Sequence, residues 1–546
     1  MLPILSDLQA PATLLLVPAV LCILYSKWQY RKRSSGCPLP PGPRGWPIIG
    51  NALDIPLESM APAYARWAKH YGSDIVSANA LGTTLVVIDK YDTAIELLEK
   101  RATKYSSRAK SVMAVDLMGY DSFILGPYSD EWKAQRKLFV RYFRPNGGVH
   151  IAQEYEVVHR LLLDLNDVPG EVYGLVRHMV GSLAISLAYG LPVQRRRDEL
   201  VELIDSIARM VGEQLVPGKA IVDVLPWLRH IPDWMPGMGF KRFAKSVRWM
   251  ATKFRMEGYE RALKAFGTEG VRPSFLSDAL ASLDNVDAVK DSEARHKALG
   301  DILNVASTVF GAASDTTTDA ILIFLFALAT HPDVRKRVQN ELDTFLTDRN
   351  EFGKRTLRLP TFEDQDNLPF LMAAIMESQR WAPVAPTGVP HSTTEDDVYG
   401  GYFIPKGSVV IPNHWSMLND EGEYGADALD FNPDRFVRPK SGEGEHGIEI
   451  NPDIRNPSTI TFGFGRRVCP GSHIAQSSLW LAAACLLTVF DFEAPHTERP
   501  RYVTSEGKVN PRFDAGFLCV PKEFKCEFKV RSEEAKVLLA ELGMSV

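Results

Sequence analysis

The longest helical signal in the chain runs from about residue 298 to residue 330 and is closed by Pro332. At about 1.5 Å per residue such a helix is roughly 50 Å long, so it needs a large, mainly helical body around it. Its middle is unusual. Gly311-Ala312-Ala313-Ser314-Asp315-Thr316-Thr317-Thr318 sets hydroxyls and a carboxylate among aliphatic neighbours, where they compete with the helix's own hydrogen bonds. Such a pairing in mid-helix points to a functional role. A satisfied kink in a buried helix is the other reading.

The remaining pattern predicts a mainly α fold with small β-sheets. Segments 75–80 and 84–88, split by Leu81-Gly82-Thr83, predict a hairpin because β-branched residues flank a glycine turn. Helical spacing covers 91–100, 130–143, much of 155–265, and 368–381, which Pro383 stops. Short strands are expected at Tyr402-Phe403-Ile404 and Val409-Val410-Ile411, and a last long helix over 474–490. The acidic, glycine-rich span 441–457 reads as a surface insertion, and there is no internal repeat. A chain of 546 residues could fill two or three average domains, but large cofactor enzymes also fold as one unit. The net charge of −5 argues against a nucleic-acid partner.

Residues 8–26 carry no formal charge. About nineteen residues of helix just span a bilayer core of about 30 Å. Asp7 precedes the stretch, while Lys27, Arg31, Lys32 and Arg33 follow it. That order is the reverse of a cleaved signal peptide, and it places everything after residue 27 in the cytoplasm. A buried core helix or an interfacial segment would have similar composition. The run Pro38-Leu39-Pro40-Pro41-Gly42-Pro43-Arg44-Gly45-Trp46-Pro47 follows as a stiff spacer.

Six cysteines, at 22, 37, 469, 485, 519 and 526, form no C-x-x-C pair and no disulfide framework. One of them is presented. Phe462-Gly463-Phe464-Gly465-Arg466-Arg467-Val468-Cys469-Pro470-Gly471 sets Cys469 before a helix, with Arg466 and Arg467 beside it; a helix amino terminus and nearby cations both favour a thiolate. A phosphate loop would end in Lys-Ser/Thr, and a zinc site using Cys469 and His473 would need two more ligands. A free buried cysteine stays open.

That stretch resembles F-x-x-G-x-R-x-C-x-G, the haem-binding signature of the cytochrome P-450 family, at every fixed position. Glu377-Ser378-Gln379-Arg380 is similar to the family's E-x-x-R, Phe431-Asn432-Pro433-Asp434-Arg435-Phe436 to its F-x-P-x-R-F, and Trp132-Lys133-Ala134-Gln135-Arg136 to its W-x-x-x-R. The helix patch 312–317 resembles A/G-G-x-D/E-T-T/S, with Ala313 in place of glycine. The similarity covers nearly everything after residue 40.

The resemblance implies the family's mainly helical fold, preceded by one transmembrane helix: a lumenal tip 1–7, an anchor 8–26, a basic and proline-rich hinge 27–50, and a haem-thiolate catalytic domain 51–546. It implies haem b (iron protoporphyrin IX), with Cys469 as the axial thiolate and metal ligand. Arg467, Trp132, Arg136, His391 and Phe462 would bind the cofactor, and Glu377, Arg380 and Arg435 would form a structural network. Thr316 would hold a proton-donating water that Asp315 supplies. The expected reaction is insertion of one oxygen atom from dioxygen into a lipophilic small molecule. The closest texture is that of fungal microsomal (class II) enzymes of secondary or xenobiotic metabolism, acting on terpenoid, polyketide, indolic or polyaromatic compounds. Electrons would come from NADPH through NADPH–cytochrome P-450 reductase, with cytochrome b5 as a second donor, at the endoplasmic reticulum membrane. Two alternatives belong to the same fold or cofactor: a haem-thiolate isomerase or dehydratase, which tends to lack the acid–threonine pair, and a non-catalytic haem sensor. The pocket is expected to draw on 108–123, 205–240, Phe310, Ala313, 384–389 and 515–517. Lys133, Lys137 and Arg141 recur every four residues as a cationic stripe that an acidic flavoprotein could meet.

Overall fold

A computed structural model describes residues 28–545, apart from Asn146, Pro217 and the segments 268–271, 285–291, 350–354, 441–446 and 494–498. The uncharged 8–26 stretch therefore lies outside the described residues. Two described helices are long and apolar enough to cross a membrane, 293–330 and 472–489, and both are mostly buried inside the protein.

The fold is mainly helical. Its principal helices are α1 (Asp130–Tyr142), α2 (Ile151–Asp167), α3 (Val172–Tyr189), α4 (Glu199–Gln214), α5 (Gly239–Ala265), α6 (Ser292–Thr330), α7 (Pro369–Trp381), α8 (His414–Leu418) and α9 (Ser472–Val489). Local chemistry starts them where the chain needs them. The Ser129 hydroxyl accepts from the Trp132 amide at 3.1 Å, and Asp130 and Glu131 occupy the positive first turn of α1. The Asp198 carboxylate caps α4 through the Leu200 amide at 2.9 Å. Helix α9 is apolar all round and is buried continuously from Ser478 to Val489, as a helix without a polar face must be.

Helix α6 runs unbroken through its polar patch. The Thr316 and Thr318 hydroxyls donate to the carbonyls of Ala312 at 2.8 Å and Ser314 at 2.6 Å, which satisfies them one turn back and keeps the helix intact.

The main sheet has β1 (Ile75–Ala80), β2 (Thr83–Ile88), β3 (His391–Ser392) and β4 (Val409–Pro412) in the order β1-β2-β4-β3. The expected hairpin is present but tighter than the sequence reading, because Thr83 pairs with Ala80. The turn is only Leu81-Gly82, both at positive φ (49° and 90°), the handedness that matches strand twist. Strand β2 pairs in parallel with β4, which brings residues more than 300 positions apart, such as Leu85 and Val409, into register. The proline-rich segment lies along this sheet. The Pro41 carbonyl accepts from the Ser77 amide at 2.8 Å and the Pro38 carbonyl from the Phe403 amide at 2.7 Å, while Arg33 pairs with Asp396.

One buried carboxyl joins α2 to α9. Glu154 is fully buried and accepts from the Ser477 and Ser478 hydroxyls at 2.7 and 2.6 Å. Burial pushes its pKa up to about 7 from 4.5, against the pull of the two serines. The folded state therefore holds a proton that the unfolded chain has released between those values, so stability falls as pH rises from about 4.5 through 7. Glu154→Gln is expected to flatten that slope and to raise stability at pH 8 by roughly 3 kcal/mol. Denaturant unfolding at pH 5 and pH 8 measures it.

Candidate active site

The loop before α9 is shaped by contact. Gly465 sits at φ +56°, and a Cβ there would run into the Leu98 carbonyl. The chain then turns back so that the Cys469 amide donates to the Phe462 carbonyl at 2.9 Å. Cys469 faces a cavity of about 240 Å³, and a second chamber of about 110 Å³ shares Phe123, Ile124, Thr316 and Cys469 with it. Burial raises the Cys469 thiol above its usual pKa, while the Gly471 amide and Arg136 pull it down. The sequence suggested Arg466 and Arg467 as the cations acting on the thiol, and the fold assigns them elsewhere. Arg466 donates to the Tyr128 hydroxyl at 2.6 Å, and Arg467 to the carbonyls of Ser106 and Gly126, each at 2.7 Å. Burial is the largest of these influences and leaves the thiol above its ordinary value.

One end of the cavity is cationic. Trp132 stacks under Arg467, whose guanidinium carbon lies 4.2 Å from the ring centroid, and Arg136 lies at 5.5 Å. Arg136 also donates to the Val468 carbonyl at 2.8 Å. His391 on β3 holds the Tyr105 carbonyl through Nδ1 at 2.9 Å. The sequence reading put Arg108 on the pocket wall but gave it no role toward the cofactor; it is buried here and donates to the Val389 carbonyl. Arg467 Nη1 and Arg108 Nε are buried without a partner. Burial and the neighbouring Arg136 push Arg467 down to about 10, and burial with Arg467 also lowers Arg108 well below its ordinary value. Two unmet guanidinium donors crowded together away from water call for anions. No described residue lining the cavity is acidic. An apolar chamber with one thiol and a set of unmatched cations at its rim fits a haem, whose iron takes the sulfur and whose two carboxylates take the arginines.

The structure brings Cys469, Arg467, Phe462, Trp132, Arg136, His391 and Thr316 to this one cavity. Asp315 is turned away from it. Its carboxylate pairs with Arg177 at 3.1 Å; Arg177 also pairs with Asp205, which in turn meets the exposed Arg209 at 3.0 Å. Burial raises the Asp315 pKa to about 6, although Arg177 opposes it. The described walls take Arg108, Phe123, Ala313 and the 384–389 loop from the expected lining, and nothing from 205–240 or 515–517. Phe310 is also absent from them. Its ring stacks on Phe254 with centroids 5.0 Å apart.

Glu377, Arg380 and Arg435 meet beside the cavity. Arg380 binds Glu377 through Nε at 2.7 Å and Nη2 at 2.8 Å, and both side chains are fully buried. Arg435 reaches the same carboxylate at 3.2 Å. The spare donors of Arg380 go to the carbonyls of Leu418, Ala428 and Asp430. The motif helix α7 is thereby tied to the segment leading toward the cysteine loop.

Fold and site together fit a mainly helical protein with room for a haem beside a single thiol. Sequence comparison agrees. The family model described as cytochrome P-450 matches residues 40–528. A cytochrome P-450 monooxygenase, ple1, of Rhodocybe pseudopiperita is 37% identical over 503 residues, 92% of this chain and 91% of its own. Cytochrome P-450 monooxygenase 98 of Postia placenta is 36% identical over 93% of this chain and 94% of its own. The tryptamine 4-monooxygenase of Psilocybe cyanescens is 35% identical over 95% of this chain and 98% of its own. The chain belongs to the cytochrome P-450 family. It is an oxidoreductase of the monooxygenase type, and membership implies a haem cofactor.

Proposed function

We propose that this enzyme oxidises a neutral, lipophilic small molecule by hydroxylation or epoxidation while anchored in the endoplasmic reticulum membrane by residues 8–26. The tip 1–7 is lumenal, 27–50 is the hinge, and the 51–546 domain is cytosolic. The lining of the cavity carries the substrate reading. Away from the cationic rim its walls are Phe123, Ile124, Ala312, Ala320, Ile323 and Val384, and no acidic group waits for a protonated amine, which would lose its water without compensation. Terpenoid, polyketide, polyaromatic and uncharged indolic compounds fit; the relative named for tryptamine acts on an indole that also carries an amine, so tryptamine belongs among the controls. The test is a panel of such compounds, with protonated amines as controls, given to enzyme reconstituted with reductase and NADPH. Product from the amines alone would refute the reading.

Cys469 would hold the iron of haem b; Arg467, Arg136, Trp132 and Arg108 would hold its carboxylates, with His391 positioned beside them and Phe462 packed against the group. Bound haem supplies oxygen activation, to which an axial thiolate contributes electron density. Thr316 spends its hydroxyl hydrogen on Ala312, so its oxygen is free to accept from a cavity water and fix that water's orientation. Asp315, one residue back, is paired with Arg177, whose guanidinium has no acceptor site and so carries no proton onward; the carboxyl hands its proton to that water by leaving Arg177 and turning toward the cavity. Asp315→Asn keeps the shape and removes the exchangeable proton. Turnover is expected to fall by about a hundredfold, with the spectral substrate affinity unchanged.

Electrons arrive from NADPH–cytochrome P-450 reductase, with cytochrome b5 as a second donor, since no flavin or nicotinamide motif is legible in the sequence. Lys133 and Lys137 are exposed on α1 beside Trp132 and Arg136. Reversing both to Glu is expected to slow reductase-driven reduction by roughly tenfold at low salt and less at high salt. Stopped-flow reduction kinetics check it.

A further inference from the structure

One polar group on the cavity wall has no part in the scheme above. His414 opens α8 directly after β4 and is 2% exposed. Its imidazole lines the cavity between Gly388 and Phe464, whose ring it meets edge-on with centroids 5.7 Å apart. Neither ring nitrogen has a hydrogen-bond partner. The Ala385 carbonyl is close enough to favour the protonated ring but falls short of hydrogen-bond geometry, and it already accepts the Gly388 amide at 3.0 Å. A buried donor left unmet costs about 1–3 kcal/mol, so the site needs an acceptor.

The chain also makes room for this ring. Gly388 sits at φ +56°, and a Cβ there would come within 2.7 Å of His414 Cε1 and 2.8 Å of Nε2. The groups felt around it are cationic or neutral. Arg108 acts on His414, while Arg108, Arg467 and His414 all act on His391. Burial, with Arg108 adding to it, pushes His414 down to about 4. Its ring is neutral and carries one N–H. His391 differs, because it spends Nδ1 on the Tyr105 carbonyl and a neutral ring then offers only an acceptor at the other nitrogen. A carboxylate balanced by Arg108 and Arg467 therefore finds a further uncharged donor in His414.

We propose that His414 donates a hydrogen bond to a carboxylate of the cofactor, acting as a cofactor-binding residue beyond the sequence motifs. The inference rests on the haem reading above, and the test separates the two. Full-length, haem-loaded, substrate-free enzyme is compared as wild type, His414→Phe and His414→Gln. The measurements are the rate of haem transfer to apomyoglobin and the propionate-bending bands in the resonance Raman spectrum. His414→Phe is expected to release haem about tenfold faster, as for one lost hydrogen bond to a charged group, and to shift a propionate band. His414→Gln, which keeps an N–H, should return both toward wild type. The reduced carbon monoxide complex should keep its red-shifted Soret band in all three, because Cys469 is untouched; loss of that band in the wild type would instead overturn the thiolate reading. If the Phe variant cannot be purified folded, Gly388→Ala crowds the same ring and should shift the same band. Wild-type release with unmoved bands in the Phe variant overturns the proposal. So does a Gln variant that behaves as the Phe variant does, since that marks a packing role.

Discussion

Cys469→Ser is expected to abolish the red-shifted Soret band of the reduced carbon monoxide complex and to cut product formation at least about a thousandfold, equivalent to about 4 kcal/mol on the barrier. The exchange is small in volume, and the bond that shapes the loop is the backbone one from the Cys469 amide to Phe462, so the fold should survive it. What it removes is the sulfur. A thiol whose pKa is already raised by burial ionises only because a metal takes the proton's place, and a hydroxyl ionises far less readily. A serine variant that retains the band would show that another atom holds the iron. Folding can be checked separately by far-ultraviolet circular dichroism.

The second large effect falls on stability. Arg380→Ala strips the bidentate partner from a carboxylate that has no access to solvent and leaves it Arg435 at 3.2 Å; removing one half of a buried pair typically costs about 3–5 kcal/mol, and the remaining arginine sets the loss toward the lower end. Total stabilities are about 5–15 kcal/mol, so much of the variant should be recovered without haem or aggregated. The residual holoenzyme should unfold at markedly lower denaturant. The loss has more than one source. The carbonyls of Leu418, Ala428 and Asp430 lose their donors with the guanidinium. Arg380→Lys should rescue little, because one ammonium cannot serve a bidentate carboxylate and three carbonyls at once. Equal midpoints for wild type and Arg380→Ala would show that the network is ornamental.

Much of the site was readable along the chain because its chemistry is concentrated in short segments. Cys469, Arg467 and Phe462 lie within one loop, Trp132 and Arg136 within one helical turn, and Glu377 and Arg380 likewise. The cofactor-facing role of Arg108 was not readable, nor was His414 at all. Each is an ordinary-looking polar residue in its local sequence, and only the pairing of β2 with β4, with β3 alongside, brings the 105–108, 388–391 and 412–414 segments to one wall. Direction was also hidden. The helical patch marked Asp315 and Thr316 together, but their side chains diverge, with Thr316 on the cavity and Asp315 on Arg177. Phe310 was expected on the wall because it is large and apolar, and Phe254 holds it elsewhere.

The amino-acid order by itself determined the helical class and the family, and singled out Cys469 as the candidate sulfur ligand. Periodicity, glycine placement and motif spacing are properties of neighbours in the chain, and they hold wherever the segment ends up. Tertiary structure alone decided which cations attend the thiol, which buried donors are left without partners, and which face of the long helix meets the cavity. Those outcomes depend on burial and on contacts between segments more than 300 residues apart, and the energy of a charge or a hydrogen bond is set by what surrounds it.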